Sequence, residues 1–177
     1  KRSDKVRQAY PSDLTDAQWA VIEPLYSGMR TYKWSKRELT NAVLYFVKQG
    51  VSGGTCPHDF PPYSTVHSFY RRARLSGLWE KILRHLVKIS RERAGRKAVP
   101  SYAIIDSQSV KTTGAAKERG KTVEKNERQE AAIVVDTLGN LLAVVVHAAN
   151  IHDTKAGIMP AKQACKRYPS IERFCAD

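Results

Sequence analysis

Two aspartates follow short apolar segments in the second half of the chain. Asp106 ends the segment 102–106, and Asp177 ends the segment 171–177. If both segments are strands that pair in parallel, the two carboxylates meet at one place in the sheet. Close carboxylates repel each other unless a cation lies between them, and oxygen ligands suit Mg²⁺ or Mn²⁺. Metals held in this way catalyse in-line displacement at phosphorus, so the pair predicts phosphoryl-transfer chemistry.

The elements after Pro100 predict how these aspartates are positioned. The apolar patterns indicate a strand, a hairpin of two strands, a helix and a last strand, at residues 102–106, 131–135, 141–148, 153–167 and 171–176. A helical crossover from such a three-stranded antiparallel sheet can place the fourth strand parallel to the first. Pro160 would cost the helix a hydrogen bond, which predicts either a kink or a later start. The polar segment 112–128 is typical of a loop.

Other interpretations of the acidic residues stay open at this point. An aspartate at a strand end is more often a turn or capping residue than a metal ligand. Asp136 and Asp153 are alternative candidates for ligands of the metal site. We interpret Asp136 as a turn residue before Gly139 and Asp153 as a helix N-cap.

The charge of the chain is uneven along its length. The net charge is +13 and the isoelectric point is about 9.8. Residues 1–100 contain 19 basic and 8 acidic residues, whereas residues 101–177 contain 11 and 9. A half with this excess should attract a polyanion, most often nucleic acid. The alternative is a soluble surface that is simply rich in Lys and Arg.

Helical spacing dominates the first half of the chain. Thr15 and Ser35 each begin a capping box, and Ser64 is a candidate cap for a third helix. The third helix would bury Val66, Tyr70 and Ala73. A fourth would bury Leu78, Ile82, Leu86 and Ile89 and expose its basic residues, Arg91 among them.

The candidate DNA-binding residues lie on these helices and just after Asp106. The third helix presents Arg71, Arg72 and Arg74, as in a reader of the helix-turn-helix kind, although its preceding loop is too long for the standard motif. Arg84 and Lys88 on the fourth helix suit phosphate neutralisation. Lys111 follows Asp106 closely and is a further candidate for a phosphate contact. For each of these residues a solvated basic surface is the competing interpretation.

Several classes of protein are excluded by composition. The longest purely apolar stretch, 141–146, is far shorter than the roughly 20 residues that span a bilayer. The first residues lead into no apolar signal segment. Three cysteines without C-x-x-C spacing form neither a closed disulfide framework nor a typical zinc site. We therefore expect a soluble, cytoplasmic protein without a membrane partner.

Several motifs in order resemble those of bacterial insertion-sequence transposases. They are Tyr10-Pro-Ser-Asp-Leu-Thr-Asp-Ala-Gln-Trp19, Pro57-His-Asp-Phe-Pro-Pro-Tyr-Ser-Thr-Val66, Ile105-Asp-Ser-Gln-Ser-Val-Lys-Thr112 and Val135-Asp-Thr-Leu-Gly139. The group is the DDE type, insertion-sequence-five-like. The resemblance implies a ribonuclease-H-like catalytic fold and a metal-bound triad of Asp, Asp and Glu. Asp106 matches the first acid and Asp177 the second, with Mg²⁺ (or Mn²⁺) as cofactor.

The resemblance also predicts the organisation of the chain. We expect an α+β protein of two parts, a helical DNA-binding region at residues 1–98 and part of a ribonuclease-H-like α/β domain at residues 99–177. The sequence ends at Asp177, before the Gly-Tyr continuation and the third acid of the family. The chain therefore looks like a truncated copy, an upstream reading frame or a fragment.

Three functions are compatible with these patterns. The resemblance implies a transposase that binds double-stranded DNA at terminal inverted repeats, cuts it with a metal and joins it to target DNA. A dimer on DNA and a place in the bacterial nucleoid follow from the same resemblance. The missing acid favours a non-catalytic DNA-binding remnant or repressor. A structure-specific nuclease would use the same two aspartates, but the N-terminal motifs argue against it.

Overall fold

A computed structural model describes residues 9–30, 32–50, 57–110, 129–148 and 158–176. Within these ranges it gives the backbone alone for residues 106–110, 129–131, 146–148 and 176. The chain divides into two compact units, residues 1–82 and 83–177. The functional boundary expected after residue 98 stays a prediction.

The first unit is helical. Its elements are α1 (Asp16–Ile22), a 3₁₀ helix (Glu23–Tyr26), α2 (Lys36–Gln49) and α3 (Tyr63–Leu75), and the division between the units falls within α4 (Leu78–Arg93). Both predicted capping boxes are present, at the starts of α1 and α2. Each box satisfies two backbone N–H groups that a helix start leaves without partners. Gly50 ends α2 in the left-handed region, at φ 61°.

Large side chains form the core of the first unit. Tyr26, Leu39 and Phe69 are almost completely buried there. Two predictions for α3 are wrong. The helix begins after Pro62 without a side-chain cap, so Ser64 is not its N-cap, because Tyr63 already starts the first turn. Phe69 takes the buried position expected for Tyr70, which is 39% exposed.

The second unit is built on a four-stranded sheet in the order β3-β2-β1-β4. The strands are β1 (Tyr102–Val110), β2 (Gln129–Val135), β3 (Leu141–Ala148) and β4 (Arg173–Ala176), with α5 (Ile158–Arg167) before β4. β2 runs antiparallel to β1 and to β3, and β4 runs parallel to β1. The predicted parallel pairing of the first and last strands is confirmed.

Small and branched side chains, together with Tyr168, form the core of the second unit. Ala103, Val134, Leu142 and Ala164 are completely buried and form one cluster. The described part of α5 begins at Ile158 and contains the buried Pro160. The residues directly before Ile158 lie outside the described ranges, so the choice between a kink and a later start stays a prediction. The predicted N-cap, Asp153, lies outside the described residues.

Helix α4 was predicted with the wrong buried positions near its end. Leu78 and Ile82 are buried as expected, but Leu86 is 43% exposed, and Val87 and Arg91 are buried instead. Val87 is nine positions after Leu78, which is about half a turn away around a helix of 3.6 residues per turn. One continuous apolar stripe cannot include both residues, so extending the stripe from Leu78 selected the wrong side chains.

Candidate functional site

The parallel pairing of β1 and β4 brings the segments before the two candidate aspartates together. The described register pairs Tyr102 with Arg173 and ends with Ile105 opposite Ala176. Asp106 and Asp177 are the next residues in the sequence. Asp177 itself lies outside the described residues. The structure therefore places β1 and β4 in a register that leads directly to both aspartates.

Hydrogen bonds fix the starts of these two strands beside each other. The Ser170 hydroxyl donates to the Pro100 carbonyl oxygen at 2.7 Å. The backbone N–H of Glu172 donates to the Ser101 carbonyl oxygen at 2.9 Å. A shift of β4 along β1 would break both bonds, and a one-residue slip would also turn the side chains of β4 to the other face. The register is thus specified at its beginning.

The sequence pattern predicts that the first strand ends at Asp106, but Asp106 lies in the interior of that strand. β1 continues to Val110, and the backbone of Asp106 pairs with Ile133 of β2. The apolar pattern ends at Asp106, but β2 supplies ladder partners for the mostly polar segment 107–110. Pairing with a neighbouring strand outweighs the weak strand preference of such residues. Ile105 is the last residue of β1 with a described partner in β4. Asp106 comes next in the chain, and its backbone still has a partner in β2.

The described residues contain no cluster of three or more His, Cys, Asp or Glu side chains that could hold a metal ion. The candidate donor set is the pair Asp106 and Asp177. Carboxylate oxygens are the ligands that Mg²⁺ and Mn²⁺ prefer. Neighbouring parallel strands that lead to two such groups fit a divalent cation in donor type.

The three candidate arginines of α3 are all exposed, but they differ in their surroundings. Arg72 Nε donates to the Ser68 carbonyl oxygen at 3.2 Å, and its guanidinium lies 5.6 Å from the centre of the Tyr32 ring. Arg71 and Arg74 lie on another side of the helix. Since α3 contains no acidic residue, its positive charge has no partner within the helix.

The basic residues of α4 divide into two kinds. Arg84 is exposed, and Lys88 is exposed with one weak neighbour, Glu92, at 3.9 Å. Arg91 was predicted to face solvent, and this is wrong. Its side chain is only 7% exposed, and its Nη1 lies 2.6 Å from Asp136 Oδ2. A buried guanidinium in an ion pair is unavailable for phosphate contact, whereas Arg84 and Lys88 remain candidates.

Asp136 has a second role besides the predicted turn. Its Oδ1 accepts from the backbone N–H groups of Leu138 and Asn140, as the turn interpretation requires. Its Oδ2 accepts from Arg91 and from the Asn140 side chain. Burial raises the pKa of the Asp136 carboxyl, but hydrogen bonds from Asn140 and Arg91 outweigh burial, so its pKa is lowered.

Sequence reasoning found the Asp136 turn but missed its arginine partner. The turn signal was Asp136 three residues before Gly139, whose φ of 77° favours glycine. Arg91 carries no such local signal, because its partner lies 45 positions away. Lys111, the remaining candidate, lies outside the described residues.

Two models of protein families match consecutive parts of the chain. Residues 14–83 match a family described as transposase of IS4/5 family, and residues 97–177 match the transposase DDE domain. No curated protein and no solved structure matches the chain. The DDE domain implies a ribonuclease-H-like fold, with which the mixed sheet of the second unit agrees. Among the described residues, no helix is long and apolar enough to cross a membrane.

Proposed function

Because the chain belongs to the IS4/5-like DDE transposases, we propose that it binds the terminal inverted repeats of a mobile element and takes part in metal-dependent strand cleavage and transfer. The family supports DNA transposition as the general activity and DNA as the partner. The repeats, the metal and the residues named below are the finer proposal. A homodimer that brings two element ends together belongs to the same proposal.

The observation that carries the catalytic part is the parallel register of β1 and β4. Ile105 and Ala176 are partners, and each directly precedes an aspartate. Continued by one residue, this register would make Asp106 and Asp177 partners on neighbouring strands. Partners in a parallel ladder place their side chains on the same face of the sheet. Two carboxylates on one face can then act as a unit.

Asp106 and Asp177 would hold Mg²⁺ (or Mn²⁺). When bound, such a metal stabilises the attacking and leaving oxygens of an in-line displacement at phosphorus. Asp106 lies within β1 and Asp177 directly follows β4 in the sequence. A site built on strands rather than on loops favours a reproducible geometry. β2 supports this arrangement from the other side, since it pairs with β1 at Asp106 itself.

Exposed cationic residues would carry the binding of DNA. Arg71, Arg72 and Arg74 lie on α3, and Arg84 and Lys88 lie on α4. Each contact with a phosphate releases counterions from DNA, so affinity should fall steeply with salt. Lys111 would add a phosphate contact near Asp106. The buried Arg91 is left out of this set because it is paired with Asp136.

A cleavage assay tests the proposal. The chain is incubated with Mg²⁺ and two duplexes of equal length, the terminal repeat flanking its gene and a scrambled version. We expect nicking at the repeat end that Asp106→Asn abolishes and that Glu172→Gln, an exposed carboxylate of the same unit, leaves intact. Repeat-selective binding without cleavage would favour the non-catalytic DNA-binding protein. Equal cleavage of both duplexes would favour a nuclease.

A second measurement isolates the metal from the reaction. Electron paramagnetic resonance counts the free Mn²⁺ that remains when the chain is added. We expect Asp106→Asn and Asp177→Asn each to raise the free fraction, because each removes a carboxylate ligand. Unchanged Mn²⁺ binding in both variants would contradict the metal site even if DNA binding persists.

A further inference from the structure

We propose that one face of α3, formed by Ser64, His67, Arg71 and Arg74, enters the major groove and reads the bases of the element end, whereas Arg72 does not read bases. This inference rests on the proposed binding of terminal repeats and assigns the residues that determine its sequence specificity. These four residues form the reading face of α3.

The buried side of α3 fixes which side remains for a partner. Val66, Phe69 and Ala73 are buried to within 1% of complete and belong to the core of the first unit. Their spacing of three and four residues places them on one side of the helix. Arg71, two positions after Phe69, lies about 200° away around the axis. The helix therefore turns its opposite side to solvent.

The reading face is narrow and continuous. Its four residues are all exposed and follow each other at intervals of three, four and three positions. At 100° per residue they fall within an arc of about 80°. Leu75, which is 71% exposed, adds an apolar side chain at the edge of this arc. Two arginines, a histidine and a hydroxyl on one ridge form a set of donors of the kind that reads base edges.

Arg72 lies outside this arc and is held by the first unit itself. It is about 100° from Arg71 around the helix axis. Its Nε donates to Ser68, and its guanidinium lies 5.6 Å from the Tyr32 ring centre. Cation–π attraction of this kind holds a guanidinium against a ring. Arg72 therefore has a preset position beside the helix, where only a backbone phosphate can reach it when the reading face is in the groove.

The opposite flank of the reading face is an open groove between α2 and α3. Val47, Tyr63 and Tyr70 line it together with His67, and its volume is about 220 Å³. Val47 is 73% exposed, and the two tyrosines are about 40% exposed. The described part of the first unit thus leaves this flank of α3 uncovered, as is required of a helix that enters the major groove of DNA.

The charge of α3 selects the class of partner. The helix carries three arginines and no acidic residue. A protein groove would need a concentrated acidic surface to match it, whereas duplex DNA offers phosphates on both sides of the major groove. Arginine also makes the commonest specific contact with bases, a bidentate pair with guanine O6 and N7. The arrangement of Arg71 and Arg74 therefore fits the major groove of DNA.

A selection experiment followed by matched arginine variants tests the inference. Wild-type chain selects duplexes from a pool with a randomised central segment, and affinities are then measured for the selected duplex and its scrambled version. We expect Arg71→Ala and Arg74→Ala each to lower the ratio of the two affinities by about 10-fold or more. We expect Arg72→Ala to weaken both affinities alike and to leave the ratio within about 2-fold.

Conservative variants separate base reading from a structural role. Arg71→Lys keeps the charge but loses the planar bidentate fork, so we expect it to lower the ratio as well. All four variants change exposed side chains, and circular dichroism checks that the helices remain. A preserved ratio in Arg71→Ala and Arg74→Ala would overturn the reading face while leaving repeat binding intact. A wild-type chain that selects no sequence would overturn both the inference and the proposed repeat binding.

Discussion

The arginines of α3 and Arg91 of α4 carry the same charge in very different surroundings. Arg71 and Arg74 are exposed on a helix without acidic residues. Arg91 is buried, and its guanidinium is bonded to Asp136 and to the Lys97 carbonyl oxygen. The net charge of the chain counts all three equally. Burial and pairing decide which of them is available to bind DNA and which holds the fold.

The two units also differ in how their cores are built. The first unit packs aromatic rings against each other, for example Tyr10 against Phe60 with ring centres 5.0 Å apart. The second unit has a core mainly of small and branched side chains, with Tyr168 as an aromatic member, and it also contains the buried pair of Arg91 and Asp136. Packing should therefore dominate the stability of the first unit, and one ion pair should have a large effect on the second.

Removal of Arg91 is the change with the largest expected effect. Arg91→Ala leaves the Asp136 carboxylate buried without its cation, which typically costs about 3–5 kcal/mol. Urea unfolding of the full chain measures the loss. Arg93→Ala, an exposed residue of the same helix, is the control and should change stability by less than about 0.5 kcal/mol. Similar losses for both variants would show that the burial of Arg91 does not matter.

Creating a cavity in the core of the first unit is expected to have the next largest effect on stability. Phe69 is completely buried and contacts the rings of Tyr32 and Trp79 edge-on. Phe69→Ala should lower the free energy of unfolding by about 3 kcal/mol, because packing is lost and a cavity remains. Tyr70→Ala is the matched control, since that ring is 39% exposed. Equal losses would contradict the assignment of Phe69, and not Tyr70, to the core.

Acidification should weaken the second unit through Asp136. The pKa of this carboxyl is lower in the folded chain than its ordinary value near 3.9, so the folded state favours the ionised form. The resulting stabilisation is complete above about pH 5 and is lost as the pH falls through the lowered pKa. We expect the stability difference between wild type and Asp136→Asn to shrink in that range. Carbon-13 NMR titration of the carboxyl gives the pKa directly, and a value above 3.9 would contradict this expectation.

Local patterns allowed the prediction of much of the fold. The capping boxes at Thr15 and Ser35 and the Asp136 turn depend on residues a few positions apart, and all three are present. The strand pattern also predicted the parallel pairing that leads to Asp106 and Asp177. The length of β1 could not be predicted, because its polar end depends on pairing with β2.

Long-range partners explain the other errors. Nothing near Arg91 in the sequence indicates that it pairs with Asp136, and charge alone suggested an exposed position. Tyr70 and Phe69 are adjacent aromatic residues, and helical spacing from Val66 allows either to be buried. Only the surrounding core decides in favour of Phe69. Tertiary contacts, and not residue type, likewise distinguish the residues proposed to bind DNA from an arginine that stabilises the fold.

Substitution of the exposed Lys88 is expected to have the smallest effect on stability, in contrast to substitution of the buried Arg91. Its partner Glu92 is 3.9 Å away, and both side chains are about half exposed. Such a pair contributes little, so Lys88→Ala should change the free energy of unfolding by less than about 0.5 kcal/mol. If Lys88 contacts a phosphate, the same variant should lower the slope of log affinity against log salt concentration by about one. A large loss of stability would make Lys88 a structural residue like Arg91, whereas an unchanged salt slope would remove it from the DNA contact.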